Sequence, residues 1–414
     1  MASKKQWTIL VWIAGDNNLS EFGAADIAEL KQVGSTSNVD LVVQYDRAGS
    51  GGTRRYHLQK GTLLKDDQLA DLGETNTGDP AVAIDFFTWG MKTFPSHHVL
   101  CVLWNHGSGI DETDVYARVR ATNRVVGRRG VVAAEIPRSQ LRAIASSGLR
   151  RALFSTTIDA AIESRAIAFD DTSRDFLDNA ELTRVVKTVV KKTGRKIDVI
   201  GFDACLMNMV EIAYELREFA DFLVGSEEVE PGDGWPYQKV AGAAVRAPTP
   251  AKLVASIVKS YVASYAANPA EDHVTQAALN LRKVGAVAKA VDGLAAALIA
   301  DLKSSDDRQA FERAVKSVQR FDTRDFVDLG DFCRLIAHGS SDPAVVAAAE
   351  LVIVKLTGKD GLVVAAGHKG APVAKATGTA IYFPVLGDAH LAYPRLAFAH
   401  DTRWPEFIAK YRRI

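Results

Sequence analysis

Val199-Ile200-Gly201-Phe202-Asp203-Ala204-Cys205-Leu206-Met207-Asn208-Met209-Val210-Glu211 is the stretch whose reading decides the fold. Its approach, Ile197 to Ile200, is a short apolar run rich in β-branched residues, as expected of a strand buried on both faces of a parallel sheet. After Asp203 the apolar spacing changes. Leu206, Val210 and Ala213 recur at helical intervals, which puts Cys205 at the step from strand to helix. In open α/β sheets the carboxyl ends of the strands carry the sites. A thiol at a helix N-terminus also meets unpaired N–H groups and the positive end of the dipole, and both favour its thiolate.

A second stretch, Val99 to Gly109, offers a base in the same architectural position. His106 follows directly on the apolar run Val99-Leu100-Cys101-Val102-Leu103-Trp104. Neighbouring parallel strands lie about 4.8 Å apart, so an imidazole and a thiol at their ends share one crevice. The glycines after His106 keep the backbone open, and the N–H groups of Gly107 and Cys205 form a candidate oxyanion hole. The pattern is that of a Cys-His dyad.

At these residues the sequence resembles the clostripain-like cysteine peptidases, which share a clan with caspases, legumains and gingipains. The matching words are Trp104-Asn105-His106-Gly107-Ser108-Gly109, Phe202-Asp203-Ala204-Cys205-Leu206-Met207, Gly225-Ser226-Glu227-Glu228 and Pro231-Gly232-Asp233-Gly234-Trp235-Pro236-Tyr237. Ala14-Gly15-Asp16-Asn17-Asn18-Leu19, Phe169-Asp170-Asp171-Thr172-Ser173 and Ala380-Ile381-Tyr382-Phe383-Pro384 add to them, in family order along nearly the whole chain. The resemblance implies a caspase-like α/β fold, with a mostly parallel central sheet flanked by helices on both faces. Residues 1–240 would be the catalytic domain, and 241–414 a mixed α/β region of helices and returning strands packed against it. It also implies cleavage after basic P1 residues, Arg and less strictly Lys. Asp203 matches the acid at the bottom of the S1 pocket and Asp233 a second acid near it, with Glu227 and Glu228 behind both. A carboxylate there would pair with a guanidinium through two hydrogen bonds or with an ammonium as a point charge.

Bulk properties agree with an ordinary globular chain. The 414 residues are 47% hydrophobic and 24% charged, and Lys+Arg balances Asp+Glu at 50 each. No field is available to gather nucleic acid or an anionic membrane. No stretch approaches the ~20 apolar residues of a membrane span. Three cysteines, Cys101, Cys205 and Cys333, argue against a disulfide framework and for a reducing compartment. The expected location is cytoplasmic, with secretion the alternative if a leader has been removed; a monomer is the expected state. Cys101 lies inside a strand and Cys333 on the helical stretch Asp328 to Ala337, and both read as buried apolar side chains.

Along the chain, Trp7 to Ala14 reads as the first strand and Leu19 to Val33 as a helix. Asn17 and Asn18, between them, cap that helix or line the substrate pocket. The glycines Gly49, Gly51 and Gly52 lack a following Gly-Lys-Ser/Thr, so a phosphate loop is not supported. The connection 111–168 is loaded with arginine, and Pro137 to Leu153 within it has a helical pattern. By resemblance it is where such zymogens cut themselves after a basic residue, and Arg120, Arg124, Arg128 and Arg129 are the candidate points. Beyond residue 240, helices are expected at Pro250 to Tyr265, Val284 to Asp301, Asp307 to Arg320, Phe326 to His338 and Pro343 to Leu356. No metal or cofactor is required. Some relatives respond to calcium, and Asp170-Asp171 is an acidic pair, but no Asp-x-Asp/Asn-x-Asp/Asn-Gly loop accompanies it. Two other readings compete with the peptidase: an inactive relative that binds peptides or proteins on the same fold, and a small-molecule enzyme on a doubly wound sheet.

Overall fold

A computed structural model describes residues 4–49, 51–110, 167–170, 175–267, 273–384 and 393–413. Thirteen strands are present among them: β1 Lys5–Gly15, β2 Val39–Arg47, β3 Gly52–His57, β4 Gln68–Gly73, β5 Ser96–Trp104, β6 Ile167–Asp170, β7 Asp175–Leu177, β8 Ile197–Asp203, β9 Ala220–Gly225, β10 Val274–Asn280, β11 Phe326–Asp328, β12 Val363–Lys369 and β13 Ala380–Tyr382. Nine of them form one sheet in the order β12-β10-β9-β8-β5-β1-β2-β3-β4. The five central strands, β9-β8-β5-β1-β2, run parallel. Antiparallel strands extend both sides.

Burial explains why these runs became central strands. Leu10, Trp12 and Ala14 of β1 point into one core layer with Cys101 and Leu103 of β5. Trp7, Ile9, Val11 and Ile13 point into the other with Leu100, Val102 and Trp104. A strand apolar at every position is stable only when both faces are covered. The cover on one face includes α1 (Ser20–Val33) and the helix Pro250–Ala266. On the other it includes α2 (Pro80–Thr93) and the helices Asn179–Thr193 and Val284–Asp301.

Local signals set the helix ends. Asp79 caps α2 by accepting from the Ala81 N–H at 2.8 Å, with Pro80 in the first turn. Asp178 and Glu181 form a capping box at the start of Asn179–Thr193, and Gly194, at φ 65°, closes its end.

Three expectations change. The helix after Cys205 begins only at Val210, so the thiol does not sit at a helix N-terminus. Residues 206–208 are instead pinned to residues 226–228: the Leu206 N–H donates to the Glu228 carbonyl at 3.2 Å, and the Asn208 N–H to that of Ser226 at 3.0 Å. The stretch Phe326 to His338, expected as one helix, opens as β11, paired with β13, before the helix Leu329–Gly339. The third concerns residue 240, which does not divide the sheet. β10 and β12, from beyond it, continue the sheet that carries Cys205.

Candidate active site

Strand order creates the site. β1 has β2 on one side and β5 on the other, so the strand order reverses there, and the carboxyl ends of β1, β5 and β8 open onto one crevice. Trp104 is paired with Asp203 across β5 and β8, and the Asn105 N–H donates to the Asp203 carbonyl at 3.3 Å. His106 and Cys205 therefore each lie two residues beyond this pair, on adjacent strand ends. Gly107 lies directly against the Cys205 backbone. A Cβ there would stand 3.0 Å from the Cys205 nitrogen and closer still to its carbonyl oxygen, so only glycine fits.

The β1 loop braces the histidine. Asn17 is buried; its Nδ2 donates to the Ala14 carbonyl at 3.1 Å and to Asn105 Oδ1 at 3.3 Å, and its Oδ1 accepts from the Leu19 N–H at 2.8 Å. Asn105 in turn donates to the Ala14 carbonyl, at 2.5 Å. Asn17 thus ties two strand ends together and holds the turn that leads into α1. Asn18 reaches the histidine itself: its Oδ1 lies 2.9 Å from His106 Nε2. The sequence shows no carboxylate placed to orient this imidazole, and an amide oxygen takes that place.

Cys205 is buried, with 1% of its surface exposed. The Glu230 N–H donates to its sulfur at 3.3 Å, and the thiol lies 3.9 Å from the Glu230 carbonyl. Its successor, Leu206, is the one non-glycine residue with positive φ among the described residues, at 62°. That left-handed step costs ~1–2 kcal/mol. It is imposed by the hydrogen bonds that hold residues 206–208 beside residues 226–228.

Asp203 is fully buried beneath the thiol. Its Oδ2 accepts from the Tyr237 hydroxyl at 2.9 Å and from the Trp235 N–H at 3.4 Å, so it is bound to the Pro231–Tyr237 segment and does not cap a helix. The Trp235 ring packs over Gly201, where a Cβ would come within 2.8 Å of it. Asp233 goes elsewhere. It is exposed on a turn closed by the Gly234 N–H to the Pro231 carbonyl, with Gly234 at φ 59°. Glu230, which sequence reasoning passed over, is the fully buried acid whose N–H meets the Cys205 sulfur, and Gln276 Nε2 donates to its Oε1 at 3.2 Å.

Glu227 and Glu228 have other partners. Glu228 Oε1 accepts from the N–H groups of Val229, at 2.8 Å, and Asp322, at 3.2 Å. Glu227 faces Asp328. Burial, then the neighbouring Asp328 charge, pushes its carboxyl well up. Burial raises the thiols of Cys101 and Cys333 too, as expected of core cysteines. No group of three or more His, Cys, Asp or Glu side chains suited to a metal ion occurs among the described residues. Asp171 and the candidate cleavage points Arg120, Arg124, Arg128 and Arg129 lie outside those residues, as does the helix expected at Pro137 to Leu153.

Comparison with known proteins places this arrangement. The family model described as the clostripain family matches residues 11–129 and 155–411. Clostripain of Hathewaya histolytica is 24% identical over 260 residues, covering 56% of this chain and 41% of that protein; the chain therefore spans less than half of this relative's length. A secreted C11 cysteine protease from Bacteroides thetaiotaomicron, solved with an irreversible peptide inhibitor, superposes with a TM-score of 0.62 at 18% identity, covering 98% of this chain and 99% of that one. An inactive zymogen C11 protease from Parabacteroides distasonis gives 0.64 at 18%, covering 97% and 99%. No described helix is long and apolar enough to cross a membrane, and nothing in the comparisons favours the cytoplasmic location that was expected. With the fold shared over almost the full chain and the family model matched on both sides of the 111–168 connection, the chain belongs to the clostripain family.

Proposed function

We propose that this chain is a cysteine endopeptidase that cleaves peptide bonds after a basic P1 residue. The observation that carries this reading is the β5–β8 register, which brings His106 and Cys205 to adjacent strand ends with Asp203 beneath them. Cys205 attacks the scissile carbonyl carbon, and a covalent thioester forms as the amine leaves. The N–H groups of Gly107 and Cys205 stabilise the developing oxyanion. His106 protonates the leaving amine and then deprotonates the water that hydrolyses the thioester. Asn18, by accepting from Nε2–H, selects the tautomer that assigns proton transfer to Nδ1. Asp203 supplies the negative charge that selects a basic side chain at P1.

Self-processing after an arginine in the 111–168 connection belongs to the same reading, since an enzyme of this specificity would recognise those residues as substrate. Proteins and peptides with Arg or Lys at P1 are the substrates proposed.

The test is a fluorogenic panel differing only at P1, with Arg, Lys, Asp and Asn, run on wild type and Cys205→Ala. Cleavage of the Arg and Lys substrates by wild type alone is expected. Activity that survives in Cys205→Ala, or a wild-type preference for Asp or Asn, rejects the assignment. Gel analysis and N-terminal sequencing of the same two proteins test self-processing; an active wild type that stays intact ends that part of it.

A further inference from the structure

We propose that Glu230, Tyr261 and Gln276 complete, together with Asp203, an acceptor cage that reads a guanidinium and so sets Arg above Lys at P1. This rests on the peptidase reading and names the residues that would refine it. The four belong to four separate segments: Asp203 ends β8, Glu230 follows β9, Tyr261 lies on the helix Pro250–Ala266 and Gln276 on β10. Each is at most 1% exposed.

Their closeness to the nucleophile comes from Glu230. Its own N–H is hydrogen-bonded to the Cys205 sulfur at 3.3 Å, so its side chain leaves the backbone beside the thiol. Gln276 binds it, and through Nε2 the amide is turned so that Oε1 remains as an acceptor. That oxygen is buried and has no partner among the described residues. Tyr261 is the second such group, fully buried with no partner for its hydroxyl. Burial pushes this phenol well up, and the charges of Glu230, Tyr265, Asp203 and Cys205 add to it, in that order. Its ring lies 4.8 Å from that of Tyr265, whose hydroxyl donates to the Gly234 carbonyl at 2.6 Å, in the loop that carries Glu230. A buried hydroxyl and a buried amide oxygen without partners are costly, and each points to a group that arrives later.

The chemistry distinguishes the two basic side chains. A guanidinium offers five N–H donors in a rigid plane, and an ammonium three on a single nitrogen. Acceptors spread over four chain segments suit the planar fork better than the point charge. Asp203 is already oriented by Tyr237, so one wall of the cage is preset. Asp233 takes no part, being exposed on the far side of its turn.

The experiment compares kcat/KM for two peptides identical except for Arg or Lys at P1, in wild type, Tyr261→Phe and Glu230→Gln, with the rate of Cys205 alkylation by iodoacetamide as an independent readout of the nucleophile. Wild type is expected to favour Arg. Tyr261→Phe removes a hydroxyl that no described group holds, so packing survives, and it should lose roughly tenfold on Arg while Lys changes little. Glu230→Gln should lower both, Arg more, by roughly tenfold to a hundredfold. An Arg-to-Lys ratio unchanged in Tyr261→Phe, with alkylation at the wild-type rate, overturns the cage whatever Glu230→Gln does. Equal cleavage of both substrates by wild type also overturns it and leaves basic P1 specificity standing. A wild type that alkylates normally but cleaves neither peptide refutes the underlying function instead.

Discussion

Trp104 and Asp203 are register partners across β5 and β8, and this single pairing aligns everything beyond it. Three residues beyond Trp104 and two beyond Asp203, backbone meets backbone at Gly107 and Cys205 with no room for a side chain. Gly107→Ala must displace the Cys205 peptide. Because a displacement of ~1 Å at a reacting group costs about a hundredfold, kcat should fall by about that factor. Steady-state kinetics beside a thermal melt checks this; an alanine variant with wild-type kcat would mean that the two backbones are not in contact.

Asn18 positions His106 and does not touch substrate in this reading. Asn18→Ala should lower kcat by about tenfold or more with KM nearly unchanged, as removal of an orienting hydrogen bond does. Asn18→Asp keeps the acceptor and adds a negative charge, which favours imidazolium and should move the pH–rate profile up by about one pH unit. A profile that stays in place in Asn18→Asp would place Asn18 outside the catalytic apparatus.

Glu211 makes stability depend on pH. It is fully buried on the helix Val210–Leu216; its Oε1 accepts from the Tyr382 N–H at 2.9 Å and the Tyr393 hydroxyl at 3.4 Å, and burial raises its carboxyl from 4.5 to about 7. Between those values the folded protein holds a proton that the unfolded chain has released. The group's contribution is therefore complete below pH 4.5 and is lost as pH rises through 7, a change of about 3 kcal/mol. Urea midpoints from pH 4.5 to 8 should fall less steeply for Glu211→Gln than for wild type. Glu227 and Asp328 titrate in both proteins, so the difference isolates Glu211. Parallel curves would reject the assignment.

Cys101 and Cys333 are core thiols, and they should be chemically silent. An arginyl chloromethyl ketone should label wild type, Cys101→Ala and Cys333→Ala once each, and Cys205→Ala not at all. Each core substitution should cost about 1 kcal/mol through the lost sulfur contacts. Mass spectrometry of the adducts reads the outcome. A label on either core cysteine would disprove the nucleophile assignment.

Much of the architecture was legible in the order of residues. Runs such as Trp7 to Ala14 and Val99 to Trp104 are apolar at nearly every position, which can only be satisfied between two layers, and both became central parallel strands. Asp79-Pro80 and Asp178 with Glu181 carry their helix starts within a few residues. The neighbourhood of His106 and Cys205 was legible for the same reason, since each follows closely on such a strand.

Tertiary structure decided where side chains go once the strands end. The period of Leu206, Val210 and Ala213 promised a helix from Cys205 onward, but hydrogen bonds from residues 206 and 208 to Glu228 and Ser226, and from the Ala380 N–H to the Asn208 carbonyl at 3.0 Å, keep the chain out of a helix until Val210. Glu230 and Asp233 stand three residues apart in one loop, equally acidic. A turn with Gly234 at positive φ sends Asp233 to solvent, while the contact with Cys205 turns Glu230 inward. Propensity and apolar period are properties of neighbours along the chain, so one sequence displays them. Which acid faces the sulfur depends on groups brought from β10 and the helix Pro250–Ala266, tens of residues away, and only the closed sheet brings those together.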